Sequence, residues 1–234
     1  MSLTTGRGPL SAHPAGRFDV SIPAPVTYAE PFRRRVTAVR DGIVVVDSEQ
    51  VALVHRPGGP PTWAFPEADV RDVETVAVPL LPGFVVVAWG AVDGWFEEGA
   101  PVHMHPRNPY HRVDVIATRR RLRVELLGLE LVNTDDTVVV YETALEPLLY
   151  VAKDCVLPAD VLEPSRTTTY CPYKGVASYW SARVGDREVV DVAWSYEDPL
   201  PECTGIRGLL AFYPDRARVT QDLPPAASVF GRRG

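Results

Sequence analysis

Lys174 stands in the stretch Cys171-Pro172-Tyr173-Lys174-Gly175, three residues after a thiol and next to a tyrosine. It is one of two lysines in the chain, the other being Lys153, against 22 arginines. Arginine is planar and always charged, whereas lysine is a compact donor whose pKa falls readily on burial. A chain that uses arginine almost everywhere and keeps lysine here points to a point-charge contact with an anion, or to a reactive amine. On that reading Lys174→Met should remove binding while the fold persists, because losing one turn charge costs within about half a kcal/mol of stability. The competing reading is a solvated turn residue left by composition bias. Cys171 follows four hydroxyl-bearing residues at 167–170. A neighbouring cation would make it a nucleophile, while free cysteine is also among the most buried residue types. The chain has no histidine after His111 to serve that thiol as a base.

The same half concentrates aromatic residues: Tyr170, Tyr173, Tyr179, Trp180, Trp194, Tyr196, Phe212 and Tyr213. Tyr and Trp join a flat apolar face to a polar tip, which suits stacking on a planar ligand or closing a small β core. Trp180 and Trp194 read first as core, and Tyr173 and Tyr196 as the ligand-facing pair. Asp198 and Glu202 flank Pro199-Leu200-Pro201, a rigid turn from which a carboxylate can be presented. The candidate catalytic residues are therefore Lys174, Cys171 and Asp198. The candidate ligand-binding residues are Tyr173, Tyr179, Trp194, Tyr196 and Glu202.

A metal reading attaches to His103-Met104-His105 with His111 or Asp114, because strand residues two apart share a face. Pro106 and Pro109 would break such a strand at once, so no metal is assigned. The cofactor is left unknown. The three cysteines, Cys155, Cys171 and Cys203, show no Cys-x-x-Cys spacing and signal neither a disulfide framework nor a four-thiolate zinc site.

These residues must be positioned by strands. Apolar residues come in short β-branched runs at 43–46, 51–54, 85–87, 137–141 and 189–192, separated by many of the 23 prolines and 17 glycines. Runs of that length between turn-formers read as buried strands. The expected fold class is mainly β, with few short helices. Residues 1–24 and 223–234, rich in Pro and Gly, are expected to be a flexible leader and tail. The net charge of −6 over 234 residues lacks the positive field that coats nucleic acid. No apolar run approaches the roughly 18 residues of a membrane helix, and the N-terminus carries no apolar core after its basic residue. A cytoplasmic protein that avoids nucleic acid and membrane is the expectation, with its oligomeric state open.

The sequence also repeats. Arg33-Arg34-Arg35-Val36 returns as Arg119-Arg120-Arg121-Leu122, 86 residues on. At that spacing Gly42 falls on Gly128, Val46 on Val132 and Val70 on Val156. Farther on, Val87-Ala88-Trp89 matches Val192-Ala193-Trp194, and 110–115 falls near 213–219. Two tandem antiparallel β domains are expected, at 25–115 and 116–222. The first lacks the stretch that holds 167–175 and Ser178-Tyr179-Trp180. Arg33 and Arg35 would share a strand face and offer an anion contact, although a solvated or structural role is the default.

Leu162-Glu163-Pro164-Ser165, the Cys-Pro-Tyr-Lys-Gly stretch, Tyr179-Trp180, 193–196 with 198–202, and Ala211-Phe212-Tyr213-Pro214-Asp215 carry a likeness. Together they resemble a bacterial and fungal domain family of unknown function that bears the label nucleotidyltransferase family nine. The resemblance covers roughly 119–222, with the first copy as a divergent member. It implies a mostly antiparallel β domain of the tent-like kind, and says little about reaction. The chain has no Gly-Ser pair followed by an Asp-x-Asp metal site and no phosphate-cradling Gly-rich loop before a helix. Two functions follow from the residues. One is a site in the second domain for a small anionic or nucleotide-like molecule, extending to a nucleotidyltransferase-like enzyme. The other is a non-catalytic protein-interaction or structural β module.

Overall fold

Each of the five β-branched runs lies in a strand, because alternating or continuous apolar side chains find a pleated surface to cover. In the computed structural model, which describes residues 3–4, 8–14, 16, 18–23 and 25–224, the chain is mainly β. Its helical content among the described residues is confined to four short 3-10 turns. The chain divides into two compact units, Met1–Arg112 and Val113–Gly234.

The first unit holds β1 (Tyr28–Phe32), β2 (Val36–Arg40), β3 (Ile43–Ser48), β4 (Val51–His55) and β5 (Thr62–Pro66). It continues with β6 (Thr75–Ala77), β7 (Phe84–Val87), β8 (Gly94–Glu97) and β9 (Ala100–Val102). They form two sheets, ordered β1-β4-β5-β7-β6 and β3-β2-β8-β9. Both sheets send side chains into one core: Val36, Ala38 and Trp95 from one, Leu53, Trp63 and Phe65 from the other. Trp63, Trp89 and Trp95 lie with ring centres 5.5 to 6.1 Å apart.

The second unit holds β10 (Val113–Thr118), β11 (Leu122–Leu126), β12 (Leu129–Thr134), β13 (Thr137–Glu142) and β14 (Leu148–Tyr150). The long strands β15 (Leu162–Cys171), β16 (Gly175–Val184) and β17 (Arg187–Ser195) follow, then β18 (Leu210–Phe212) and β19 (Arg218–Gln221). Its sheets are β10-β13-β14, β12-β11-β19 and β15-β16-β17-β18. One core cluster centres on Leu122, Leu131, Val192 and Phe212, and a second on Tyr150, Trp194, Cys203 and Ile206.

The strand registers of the two units coincide at the 86-residue spacing. Val36 faces Ser48 as Leu122 faces Thr134, and Phe32 faces Val51 as Thr118 faces Thr137. Ala52 faces Ala64 as Val138 faces Tyr150. The irregularity after Ala38 recurs after Val124, and the turns Asp41-Gly42 and Leu127-Gly128 both have positive φ. The paths then part. Val70 is five residues from the start of β6, whereas Val156 is followed by β15, β16 and β17 before β18.

Two sequence matches are corrected by these pairings. Trp89 stands in the 3-10 turn Trp89–Ala91 after β7, whereas Trp194 lies inside β17, so the shared Val-Ala-Trp falls on different elements. By register it is β18 that stands where β7 does: Phe65 faces Val85, and Val151, 86 residues after Phe65, bridges Leu210. Likewise β19 pairs with β11 as β8 pairs with β2, which sets 218–221 against 94–97 rather than 110–115.

Strand β10 runs across the expected 115/116 junction. Of the expected tail, residues 225–234 lie outside the described residues, as do 1–2, 5–7, 15, 17 and 24 of the expected leader. Within the described part of that leader, Thr4 and Ser11 are buried, and the Thr4 hydroxyl donates to the Arg56 carbonyl at 3.0 Å.

Candidate functional site

The Cys-Pro-Tyr-Lys-Gly stretch forms the tip of the β15–β16 hairpin, where Cys171 faces Gly175 and the Lys174 amide donates to the Cys171 carbonyl at 3.3 Å. Gly175 has φ +98°, and a Cβ there would lie 3.4 Å from the Asp198 carbonyl oxygen. Only glycine suits that backbone without strain. The 198–203 loop is fastened across the tip. The Leu200 amide donates to the Lys174 carbonyl at 3.0 Å, and the Cys203 thiol to the Tyr173 carbonyl at 3.4 Å.

This clamp turns Lys174 inward. The residue is 7% exposed, and its Nζ makes an ion pair and hydrogen bond with Oε2 of Glu142, the last residue of β13. It also lies 5.9 Å from the centre of the Tyr196 ring. The reading of Lys174 as a solvated turn charge is therefore corrected. The tight turn and the loop laid over it remove the side chain from water, and Glu142 answers the charge.

The sheet register places the aromatic residues beside this pair. Tyr179 faces Trp194 and Trp194 faces Ala211, so their side chains share one face with those of neighbouring strands. Tyr179 is 9% exposed, Trp194 8% and Tyr196 5%, all within the core cluster. They can line a site only from beneath, because the strands and Tyr150 pack around them. Trp194 Nε1 donates to the Tyr150 hydroxyl at 3.2 Å. Tyr213, less buried, lies 4.3 Å from Trp194 and stacks on Tyr179 at 6.2 Å between ring centres, with the Arg216 guanidinium 4.9 Å from its ring centre. The Tyr179 hydroxyl contacts that of Tyr213 at 3.3 Å and that of Thr169 at 3.0 Å.

Burial sets the ionisation of these groups. It pushes the phenols of Tyr150, Tyr196 and Tyr213 above the usual range, so each stays a neutral donor and acceptor. It also pushes the Cys203 thiol up to about 11, although the Lys174 charge pulls the other way. Of the other candidates, Cys171 is half-buried and packs against this cluster. Tyr173 is half-buried in the tip. The Asp198 side chain is 91% exposed and points to Arg207, whose Nη1 donates to Oδ1 at 2.8 Å. Glu202 is exposed in the 3-10 turn Pro201–Ile206. The structure thus gathers Lys174, Cys171, Tyr173, Tyr179, Trp194 and Tyr196 around one hairpin tip, and turns the Asp198 carboxylate outward.

Glu142, Tyr150 and Cys203 are the members that sequence reasoning passed over. The need of a buried ammonium for a counter-charge was the available signal, but it does not say which acid supplies it. The other lysine also pairs with a carboxylate beside an aromatic ring, but it is exposed. Lys153 Nζ donates to Glu197 Oε1 at 2.8 Å and sits 4.4 Å over the Trp180 ring. Ser195 Oγ joins Trp180 Nε1 and Glu197 Oε1 at 2.9 and 2.6 Å. Desolvation would raise the Glu197 carboxyl, but the hydrogen bonds from Lys153 and Ser195 outweigh it and hold it below the usual value.

In the first unit, His105 Nδ1 lies 2.8 Å from the Pro106 carbonyl, and desolvation lowers its pKa. Among the described residues, no group of three or more His, Cys, Asp or Glu side chains is arranged to hold a metal ion. The histidine whose setting is most enclosed is His55, fully buried, with Nε2 2.8 Å from Glu30 Oε1. Tyr110 donates to the other Glu30 oxygen at 2.7 Å.

Residues 114–223 match the family model described as a domain of unknown function (DUF427), which carries the label NTP_transf_9. The match starts one residue into β10 and ends past β19, so it takes in nearly every strand of the second unit. No curated protein matches the chain.

Proposed function

We propose that the second unit binds a small anionic or nucleotide-like molecule at the tip of the β15–β16 hairpin. The observation that carries this reading is the state of Lys174. An ammonium has three donors, and this one, nine-tenths out of water, has among the described residues a single hydrogen-bond acceptor, Glu142. A buried ion pair is weak support for stability, since an apolar pair of similar volume often serves as well or better. Its presence at the tip of a hairpin, among phenols held neutral by burial, is better accounted for by a polar ligand that takes the remaining donors. Tyr173, Cys171 and Glu202 would border that ligand, with Tyr196 and Trp194 beneath.

The shared registers support a second element of the proposal. The two units are copies of one β unit, and the second has gained β15, β16 and most of β17. A hairpin that one copy does without is better read as an added site than as a structural need. A transferase activity would rest on the family label alone, so the proposal is confined to binding. The reading of this unit as a structural or protein-interaction module has one observation in its favour, the burial of Trp194, Tyr196 and Tyr179 as ordinary core.

Melting temperatures across a panel of phosphate, carboxylates, nucleotides and sugar phosphates test the proposal, because a ligand that binds only the folded form must stabilise it. A rise with one of these in the native chain, lost in the Lys174→Met, Glu142→Gln double variant, supports the site. No rise with any of them favours the structural reading.

A further inference from the structure

The first unit carries a cavity of about 410 Å³ where three turns converge: β1–β2, β3–β4 and β8–β9. That volume falls in the range of small-molecule sites. Its floor is apolar, with Phe32 and Val51 buried and Pro31 beside them. Its rim is charged, with Arg33, Arg34, Arg35, Glu49 and Glu98.

Most of that charge is already engaged. Arg35 holds Asp47 through two hydrogen bonds at 2.8 and 2.7 Å, and Arg34 pairs with Glu97 while lying 5.2 Å from the centre of the Phe32 ring. Glu98 accepts the Arg35 backbone amide at 2.8 Å. The side chains of Arg33, Glu49 and Gln50 are different: among the described residues they make no hydrogen bond or ion pair, and Arg33 and Glu49 do not pair with each other. The uncommitted groups around an apolar floor are thus one guanidinium, one carboxylate and one amide.

We propose that this cavity binds a small zwitterion with an apolar body, of the amino-acid kind. Its carboxylate meets Arg33, its ammonium meets Glu49, and its side chain rests on Phe32 and Val51. The guanidinium fork matches a carboxylate in two parallel hydrogen bonds, which a lone surface charge would not orient. A simple anion on Arg33 would leave the Glu49 carboxylate unanswered beside it. A simple cation would meet Arg33.

The test uses the full chain and three probes of one shape: phenylalanine, N-acetylphenylalanine, which lacks the ammonium, and phenylalanine amide, which lacks the carboxylate. Binding is followed by titration calorimetry at low salt. The expected result is that phenylalanine binds at least fivefold more tightly than either analogue. Arg33→Met should weaken phenylalanine at least fivefold. Glu49→Gln should erase its advantage over N-acetylphenylalanine. Both side chains are exposed, so both variants are expected to keep the native melting temperature. No binding of phenylalanine, equal binding of the three probes, or affinity unmoved by both substitutions would overturn the proposal. Preferred binding of N-acetylphenylalanine would overturn it in favour of an anion site.

Discussion

The ammonium of Lys174 and the carboxylate of Glu142 meet with their side chains 9% and 11% exposed, joining the tip of a hairpin to the end of a strand 32 residues earlier. This contact makes the tip part of the second unit's core rather than a free loop. It also makes the pair measurable. Removing one partner leaves the other charge buried, so Lys174→Met and Glu142→Gln should each destabilise the unit by up to about 3–5 kcal/mol. The double variant should lose much less than the sum of the two. Chemical denaturation of the four proteins gives the cycle, and strictly additive losses would contradict a buried, coupled pair.

Gly175→Ala should destabilise the chain by about 1–2 kcal/mol, because a Cβ at φ +98° strains the turn and crowds the Asp198 carbonyl. Gly59→Ala, at an ordinary φ with open space around it, is the control and should be close to neutral. Equal melting temperatures for the two variants would show that the 198–200 loop does not press on the tip.

Cys203 is fully buried, and its thiol is raised from the ordinary value of 9 to about 11. In the folded state it therefore holds its proton at pH values where the unfolded chain has lost it. Its contribution to stability is full below pH 9 and falls as pH rises through the interval to about 11. Native-state alkylation at pH 8 should spare Cys203 and modify it only on unfolding. Rapid modification of Cys203 in the folded protein would contradict its placement.

Limited proteolysis should first cut in 103–112, a segment without strand structure, rather than at 116–118. Residues 116–118 are paired in β10 with 137–139, and a paired backbone does not enter a protease cleft without local unfolding. A first cut at 116–118 would mean that β10 does not hold its place against β13.

The β architecture was legible because the strands of the two cores are written in β-branched residues, as in 51–54 and 137–141. The 86-residue spacing carried the registers as well, since the same turn glycines and buried valines return at the same steps. The matches failed where short identity outweighed register. Val-Ala-Trp occurs twice, but pairing partners, not three letters, decide which strands correspond. Strand β15 was hard to read because its sequence, LEPSRTTTYC, is largely polar and, at a sheet edge, has no fully buried residue. The rarity of lysine singled out Lys174, while its partner was illegible. Glu142 looks like any acid ending a strand until the fold brings the hairpin tip to it.

The measurement that bears most directly on the central claim is amide chemical-shift mapping by NMR on the full chain, with the phosphate, nucleotide or carboxylate that raises the melting temperature most. The account predicts saturable shifts centred on Tyr173, Lys174, Gly175 and Glu202, with Glu142 responding through Lys174. Saturable shifts confined to other parts of the chain, with the hairpin tip silent, would contradict it.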